Sequence, residues 1–426
     1  MKILLLNISL ILSFIVGAQT YNLNYYFEQA KKNSPLINKI NNDNKLIQLN
    51  LLNVKNILFK PFISIDANIL LAPIISHDHD NQFQIISDGT STNYTGYDLS
   101  YSDGGQYQAF VSIRQPLFIR GTYKAYSQKA KVANQLNKNN ISLTQHELEH
   151  LVSHQYIICL KSKEQSEINK SLINELNNQL ILMRKLVDNA IYKQSDLMLM
   201  QIETDNYRIK YQNYITKYRN NLSDLNLLCG INDTNLVEIK NVNFEISPDT
   251  VEDSQFIKKY VLDSIDIQSN LLLSDQKYKP QLNLFANAGL NAIYTPSFNR
   301  FGFAVGVNFS WNIFDGHQKN IQHNKSLIKM QTLEFDKQNF INQYYINRNK
   351  YLIQINSIDI QIKMVQNQLL EYEKLVNLNK LQFSQGQISI MDFKNLVRDV
   401  SAKKQEELLL KIQKQLLIDS YNYWNY

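Results

Sequence analysis

Two long segments of the chain, 117–247 and 297–426, contain no proline. Glycine is also missing from 122–229 and 317–385. Because proline and glycine are the residues that most often end a helix, their absence predicts two very long helical tracts. A continuous helix over 122–190 would be about 100 Å long, several times the average globular helix. Compact enzymes rarely contain such a rod.

The composition narrows the class of function. Among 426 residues, 44 are basic and 38 are acidic, which gives a net charge of +6 without long basic runs. We therefore expect no nucleic-acid partner. Only two cysteines are present and they form no Cys-x-x-Cys pair, which excludes a disulfide-rich scaffold and a cysteine-based zinc or redox site.

Residues 1–18 have the pattern of a cleaved secretory signal. Lys2 precedes an apolar stretch, 3–16, and the small residues Gly17 and Ala18 follow it. We expect cleavage after Ala18, and no lipid anchor because no cysteine follows the site. No later apolar run reaches the roughly 20 residues of a membrane-spanning helix. Such an exported chain is either soluble or enters a membrane as β-strands.

Four segments alternate between apolar and polar residues with a period of two, as strands with two different faces do. They lie at about 61–72, 106–118, 280–293 and 301–313. Strands of about 9–11 residues with one apolar and one polar face are what a tilted strand of a membrane β-barrel needs. An ordinary half-buried sheet would produce the same alternation.

Four strands cannot close a barrel, because about eight are needed for the smallest one that fills its own interior. The membrane interpretation therefore requires oligomerisation, with eight strands from two copies or twelve from three. Aromatic residues near the strand ends are candidates for contact with the membrane interface. They are Phe59, Phe62, Phe118, Tyr294, Phe298 and Phe314.

The two halves of the chain resemble each other. Lys-Pro at 60–61 returns at 279–280, an offset of 219, and the segment 115–118 has its counterpart at 311–314, an offset of 196. The difference of 23 residues indicates an insertion in the first half. We assign it to a polar loop at 74–105 that faces outward.

We therefore expect two structural repeats, 19–230 and 256–426, joined by an equatorial linker at 231–255. Each repeat consists of a helix, a strand, a loop, a strand and then a helical hairpin. The hairpins are expected at 122–230 and 317–424.

The helices that lead into the two halves differ in length. The one at about 256–277 is shorter than its counterpart at about 23–57. We expect an uneven equatorial region in which Val242, Asn243 and Phe244 form a short strand.

Apolar residues recur at intervals of three and four along the long helices, which is the spacing of coiled-coil packing. The sets are Ile173, Leu176, Leu180, Met183, Val187 and Ala190 in the first hairpin and Ile358, Ile362, Val365, Leu369, Tyr372 and Val376 in the second. A stripe rich in tyrosine continues from Leu197 to Leu228, and this spacing favours seam packing over a ligand site.

With these features, the chain resembles the TolC family of outer-membrane efflux proteins from about residue 23 to 424. The resemblance is carried by the Lys-Pro steps, by the strand-to-helix steps at 115–118 and 312–316, and by the duplicated halves with their helical hairpins. It implies a mainly α-helical fold with a membrane β part. In a homotrimer, twelve strands would form one β-barrel in outer-membrane lipid, and the helices would form a coiled-coil tunnel across the periplasm.

The resemblance also implies a function. Family members are passive exit ducts for drugs, toxins, metals or proteins, and they work with a periplasmic adaptor and an inner-membrane transporter. We accordingly expect no catalytic residue, no cofactor and no resident metal. The alternative is a soluble periplasmic coiled-coil adaptor protein of such a pump.

A gate at the periplasmic ends of the hairpins is a further implication of the resemblance. The hairpin turns fall at Ala190 and Gly386, and Asp196 and Asp392 follow them at matching places, 196 residues apart. Asp392 lies where the family's gate aspartate is expected, and Asn395 lies where a second acidic residue is common. In a trimer, three carboxylates would converge and attract cations.

The same aspartate has a structural alternative. Ser389 and Asp392 fit a capping box, which satisfies free amides at the start of a helix. Both roles can coexist in one residue. No arginine lies at 386–392 to form a salt-bridge latch.

Two histidine motifs suggest metal sites. The segment 146–150 matches the zinc-protease pattern, but Ser153 and Tyr156 stand where the extended pattern needs glycine and histidine. We favour a helix surface that faces solvent or the tunnel. Residues 77–80, His-Asp-His-Asp, could hold a cation, but polar residues are expected in the outer loop.

The two cysteines are candidates for a disulfide. Cys159 and Cys229 lie symmetrically about residue 194, at the hairpin turn, so they would have similar heights on antiparallel helices in an oxidising compartment. The alternative is a pair of buried, unpaired thiols.

Overall fold

The computed structural model describes residues 20–71, 74–76, 84–86, 94–96, 105–248, 254–293 and 300–426. The expected signal peptide, Tyr294, Phe298, the segment 77–80 and most of the expected outer loop lie outside the described residues.

The described elements follow the order helix, strand, long helix in both halves of the chain. They are β1 (Thr20–Tyr21), α1 (Leu23–Asn33), α2 (Pro35–Phe59), β2 (Phe62–Leu71), β3 (Ile74–Ser76), β4 (Gln84–Ile86), β5 (Tyr94–Gly96), β6 (Gly105–Leu117), α3 (Arg120–Asp188), α4 (Gln194–Leu228), β7 (Glu238–Ile239), α5 (Gln255–Gln276), β8 (Gln281–Ile293), β9 (Phe301–Ser310), α6 (Gln318–Ser384) and α7 (Ile390–Trp424).

The chain divides into two compact units. The helical unit comprises the described residues of Met1–Ile40, Asn139–Lys258 and Lys337–Tyr426. The sheet unit comprises those of Asn41–Lys138 and Lys259–Asp336.

The first lead-in helix, predicted as one helix at about 23–57, is interrupted at Ser34. Ser34 is extended, with ψ of 116°, because a residue before proline is disfavoured in the helical conformation. Pro35 then fits the first position of α2, and the Ser34 hydroxyl accepts a hydrogen bond from the amide of Ile37 at 3.3 Å. The second half has a single lead-in helix of 22 residues, so the predicted inequality is confirmed.

Antiparallel packing of α3 against α4 forms the first hairpin. The side chain of Arg208 donates to Asn177 at 3.0 Å, and the side chain of Asn221 donates to Ser162 at 2.8 Å. The predicted seam residues Leu176, Leu180 and Met183 of α3 are buried, and Leu197, Met200 and Tyr207 of α4 belong to the same core cluster.

A second core cluster lies near the start of the described chain, where β1 and β7 pair in parallel. The expected strand at Val242, Asn243 and Phe244 is wrong, since β7 ends at Ile239. Val242 and Phe244 instead pack against this cluster. The Phe244 amide donates to the side chain of Gln415 at 2.6 Å, so a side chain satisfies a group that a partner strand would otherwise bind.

The sheet unit contains an antiparallel four-stranded sheet with the order β2, β6, β8, β9. The register places Ile65 opposite Val111, Val111 opposite Ala288 and Ala288 opposite Phe303. Because side chains alternate between faces along a strand, this register collects most apolar positions of the four strands on one face. Among the described residues, β2 and β9 each have one partner strand in this sheet.

Candidate functional site

The apolar face of the four-stranded sheet is exposed. Ile65, Ile69 and Phe303 have 81%, 82% and 83% of their surface accessible. Further exposed members of this face are Ile63, Leu71, Val111, Ile113, Leu284, Phe301, Val305, Val307 and Phe309. Soluble monomers rarely expose an apolar surface that runs across a whole sheet, so this face requires a cover.

The opposite face of the sheet carries mostly polar or small residues, with a few apolar exceptions such as Phe285. Ser112, which is fully buried, donates a hydrogen bond to the carboxylate of Asp66 at 2.5 Å, and Ser64 donates to the same carboxylate at 3.1 Å. The ring of Phe285 lies over Gly306, where an added Cβ would come within 2.5 Å of it. Glycine at 306 therefore makes room for the aromatic ring on this face.

The first hairpin turn closes α3. The amide of Ile191 donates to the carbonyl of Leu186 at 2.9 Å, and the amide of Ala190 donates to that of Val187 at 2.9 Å. This pair of bonds is the Schellman arrangement that ends many helices. Ala190 has a φ of 59°, a left-handed conformation that costs a residue with a side chain about 1 kcal/mol.

The second hairpin turn repeats this geometry at the end of α6. The amide of Gln387 donates to the carbonyl of Gln382 at 2.9 Å, and the amide of Gly386 donates to that of Phe383 at 3.2 Å. Gly386 has a φ of 73°, so the left-handed position is filled by glycine in this half and by alanine in the other.

Both predicted gate aspartates bond within the first turn of the helix that follows. The Asp196 carboxylate accepts from the backbone amide of Lys193 at 3.0 Å. The Asp392 carboxylate accepts from the Ser389 hydroxyl at 2.7 Å, and that hydroxyl in turn accepts from the Asp392 amide at 3.1 Å. Ser389 thus caps α7 through its hydroxyl. The Asp392 carboxylate bonds that hydroxyl and not the Ser389 backbone amide, so only the Ser389 half of the predicted capping box is formed. Asn395 follows on α7 and is half-buried.

The two turns contact each other through a residue that the sequence analysis did not select. The Tyr192 hydroxyl lies 2.7 Å from the carbonyl of Ile388 and 3.3 Å from that of Phe383. Its ring centre lies 5.3 Å from that of Phe383, which stacks on Phe393 at 4.8 Å. An added Cβ on Gly386 would come within 2.4 Å of Ile191. In the sequence, the signal that could have identified Tyr192 is the presence of an aromatic residue in the turn between two helices.

The histidines of the zinc-protease pattern contact α7 and do not form an open helix surface. His146 donates through Nε2 to the carbonyl of Tyr423 at 2.8 Å, and its ring stacks on Tyr426 at 3.8 Å. His150 Nδ1 lies 2.7 Å from the carboxylate of Asp419, which is buried. Burial lowers the pKa of His146, so its neutral form is favoured.

Cys159 and Cys229 are free, fully buried thiols within one core cluster. Burial raises the pKa of both, and that of Cys229 reaches about 12. Thiols with such pKa values carry little thiolate at neutral pH and react slowly.

Within the described ranges, no three histidine, cysteine, aspartate or glutamate side chains are grouped as metal ligands. No helix in the described part of the chain combines the length and the apolar character needed to cross a membrane.

No protein-family model matches the chain, and no curated protein matches its sequence. Solved structures do match. CusC, described in terms of folding and transmembrane channel formation, has a TM-score of 0.71 at 12% identity, over 95% of this chain and 92% of CusC.

Two further structures match over the same share of the chain. The outer-membrane protein VceC of Vibrio cholerae has a TM-score of 0.67 at 11% identity, over 95% of this chain and 96% of VceC. The open state of the MtrE outer-membrane channel of Neisseria gonorrhoeae has a TM-score of 0.68 at 12% identity, over 95% of this chain and 88% of MtrE. The chain therefore has the fold of these outer-membrane proteins, the fold that its resemblance to the TolC family predicts.

Proposed function

We propose that the chain is a non-enzymatic exit duct of the outer membrane, in which three copies form one channel. The observation that carries this proposal is the four-stranded sheet, with its exposed apolar face and its two edges of one partner each. A membrane barrel satisfies both features at once, because lipid covers the apolar face and neighbouring copies pair with the edges.

The order of the strands in the sheet is compatible with closure of a barrel from several copies. β2 and β9 are the first and last strands of the sheet and lie at opposite edges. Pairing of β9 in one copy with β2 in the next would give twelve strands from three copies. The face that carries Ser64, Asp66 and Ser112 would then line the aqueous interior.

An exposed apolar stripe on α6 supports assembly through the helices as well. Ile346, Ile353 and Ile360 are seven residues apart and are 67%, 70% and 56% exposed. A strict interval of seven is the spacing of a coiled-coil seam. We assign this seam to a helix of a neighbouring copy, so that the helices together enclose a periplasmic tunnel.

The hairpin turns are the proposed periplasmic gate. The contact of Tyr192 with Ile388 holds the two turns of one chain together. Asp196 and Asp392 would face the aperture while they keep their bonds to Lys193 and Ser389. A periplasmic adaptor and an inner-membrane transporter would open this gate and deliver the cargo.

Membrane fractionation followed by sizing tests the proposal. The mature protein should require detergent, and the solubilised particle should contain about 150 kDa of protein, three chains of just under 49.7 kDa each. A water-soluble monomer would contradict the proposal and favour the adaptor alternative.

A further inference from the structure

The four junctions between strands and helices in the sheet unit lie at one end of the four-stranded sheet. β6 ends beside the start of β8, since Leu117 pairs with Leu282. β8 starts beside the end of β9, since Gln281 pairs with Ser310. β2 is the antiparallel neighbour of β6, so it also starts at this end. We call this surface the junction band, and it comprises residues 58–62, 115–124, 276–282 and 311–319.

Contacts connect each junction with the next. The side chain of Gln115, in the second junction, donates to a backbone carbonyl in the last turn of α2 at 2.9 Å. An added Cβ on Gly121 would lie 4.0 Å from the ammonium of Lys279, in the third junction. The ammonium of Lys319, in the fourth, lies 5.9 Å from the centre of the Tyr278 ring in the third. The junction band is therefore one continuous surface.

The junction band carries most of the net charge of the chain. With neutral histidine, its six basic residues and one aspartate give +5, against +6 for all 426 residues. None of the six forms an ion pair with a carboxylate among the described residues. The aspartate, Asp315, accepts a hydrogen bond from the amide of Lys319 at 2.8 Å. The six basic side chains, all exposed, are Lys60, Arg120, Lys124, Lys277, Lys279 and Lys319.

Exposed aromatic rings lie in the same band. Phe118 and Phe314 occupy matching places of the two halves, 196 residues apart, and are 86% and 78% exposed. Phe118 has a left-handed φ of 54°, so the bend presents an aromatic ring where glycine would adopt the conformation without strain. Phe59, Phe62 and Trp311 are also exposed. Aromatic rings and cations at the rim of an apolar face are typical of a membrane–water interface.

We propose that the junction band binds the anionic headgroups of phospholipids, at the surface of the leaflet where the apolar face of the sheet enters lipid. The aromatic rings lie at the level of the headgroups, and the cations attract the phosphates. Because a membrane surface is extended, it contacts cations along the whole band, whereas a single small anion contacts only a few of them. This inference rests on the proposed duct, since it takes the apolar face to lie in a membrane.

Quenching of Trp311 fluorescence by brominated lipids tests the inference. The chain has two tryptophans, and in the mature Trp424→Phe protein the exposed Trp311 of the junction band is the only one. The protein is reconstituted in mixed vesicles of phosphatidylglycerol and phosphatidylcholine, of which only one carries bromine. The difference in quenching between the two labelling schemes gives the relative binding constant. We expect a preference of about fivefold for phosphatidylglycerol.

Removal of cations from the junction band should abolish this preference. The Lys277→Gln and Lys279→Gln substitutions together should bring the two lipids to about equal binding. The pair Arg120→Gln and Lys124→Gln should act in the same way, and it replaces the first pair if that variant does not insert. Circular dichroism establishes that each variant is folded.

The matched control is the pair Lys131→Gln and Lys138→Gln, which alters two exposed lysines on α3. They lie about 17 and 27 Å along the helix from Arg120, beyond the roughly 10 Å over which salt at 0.1 M screens a charge. This variant should keep the preference of the unchanged protein.

Three outcomes would overturn the inference and leave the duct proposal standing. They are equal quenching by the two brominated lipids, an unchanged preference in both junction variants, and an equal loss of preference in the control pair. Absence of quenching by either lipid would overturn the duct proposal as well, because the sheet would then lie outside the membrane.

Discussion

The hydroxyl of Tyr192 donates a hydrogen bond to the carbonyl of Ile388, the residue at the equivalent position in the second half of the chain, 196 residues later. The bond therefore joins the two hairpin turns through matching places of the repeat. Burial raises the pKa of Tyr192, and the charge of Asp196 raises it further, so the hydroxyl keeps its proton at neutral pH. The two turns play different parts in this bond, because the first turn supplies the donor and the second supplies the acceptor.

Tyr192→Phe should loosen the proposed gate. It removes one hydrogen bond, worth about 0.5–1.5 kcal/mol, and keeps the aromatic contact with Phe383. In planar bilayers, the fraction of time spent open should rise by about 2- to 10-fold. Tyr211→Phe is the control, because the Tyr211 hydroxyl forms no hydrogen bond with the described residues. Equal gating in both variants would argue against a latch at Tyr192.

Reciprocal substitutions at the two turns should have opposite effects on thermal stability. Ala190→Gly relieves a left-handed alanine, φ 59°, and should raise stability by up to about 1 kcal/mol. Gly386→Ala introduces the same strain and a contact of 2.4 Å with Ile191, and should lower stability by about 1–3 kcal/mol. Melting in detergent, followed by circular dichroism, measures both. A loss of equal size in the two variants would contradict the geometry of the turns.

Asp196→Asn and Asp392→Asn should make the proposed channel less selective for cations. If copies converge at the turns, each substitution removes a ring of carboxylates from the aperture. In a KCl gradient, the reversal potential should move toward the value of a pore that does not select between K⁺ and Cl⁻. Asp188→Asn, which alters an exposed aspartate at the end of α3, should change it much less. Unchanged selectivity in the first two variants would leave these aspartates only their bonds to Lys193 and Ser389.

Thermal stability should decrease as pH falls from about 7.5 to 5.5, in part through His146. Burial lowers the pKa of His146 below its usual value of about 6.5, so the unfolded chain binds this proton more readily. Its contribution is present above the unfolded pKa and is lost as pH falls below it. His146→Gln should therefore reduce the decrease.

His154→Gln controls for the histidine measurement, because His154 is exposed on the same helix. This variant should keep the decrease of the unchanged protein. The same flattening of the pH profile in both variants would show that burial of His146 is not the cause.

The two cysteines should be unreactive in the folded protein and alkylated after unfolding. Cys159 and Cys229 are buried, and the pKa of each thiol is raised. Iodoacetamide without a reductant should add twice in urea and much more slowly in native buffer, as measured by intact mass. Addition only after a reductant would establish a disulfide between Cys159 and Cys229.

Periodicity predicted the strands and the helical seam because both depend on the order of apolar residues along the chain. The alternation at 301–313 predicted which face of β9 is exposed, although the strand ends at Ser310. The seam through Leu176, Leu180 and Met183 is buried. Ala190 is the last residue of the predicted seam and also the predicted hairpin turn, and it lies in the turn because α3 ends at Asp188.

Side-chain contacts between distant segments could not be predicted in this way. The contact of Tyr192 with Ile388 depends on the approach of two turns far apart in sequence. Likewise, the packing of His146 on Tyr426 depends on how α3 meets α7. The break at Ser34 had a local signal, since serine before proline commonly starts a helix.

The open edges of the four-stranded sheet have a consequence for any copy that has not yet assembled with others. Among the described strands, β2 and β9 each keep one edge without a partner strand beside an apolar face, and such edges are templates for aggregation. Correct assembly therefore competes kinetically with misassembly from the moment the sheet forms. If three copies assemble as proposed, the cell needs either rapid assembly or a chaperone that shields the edges until the partner copies arrive.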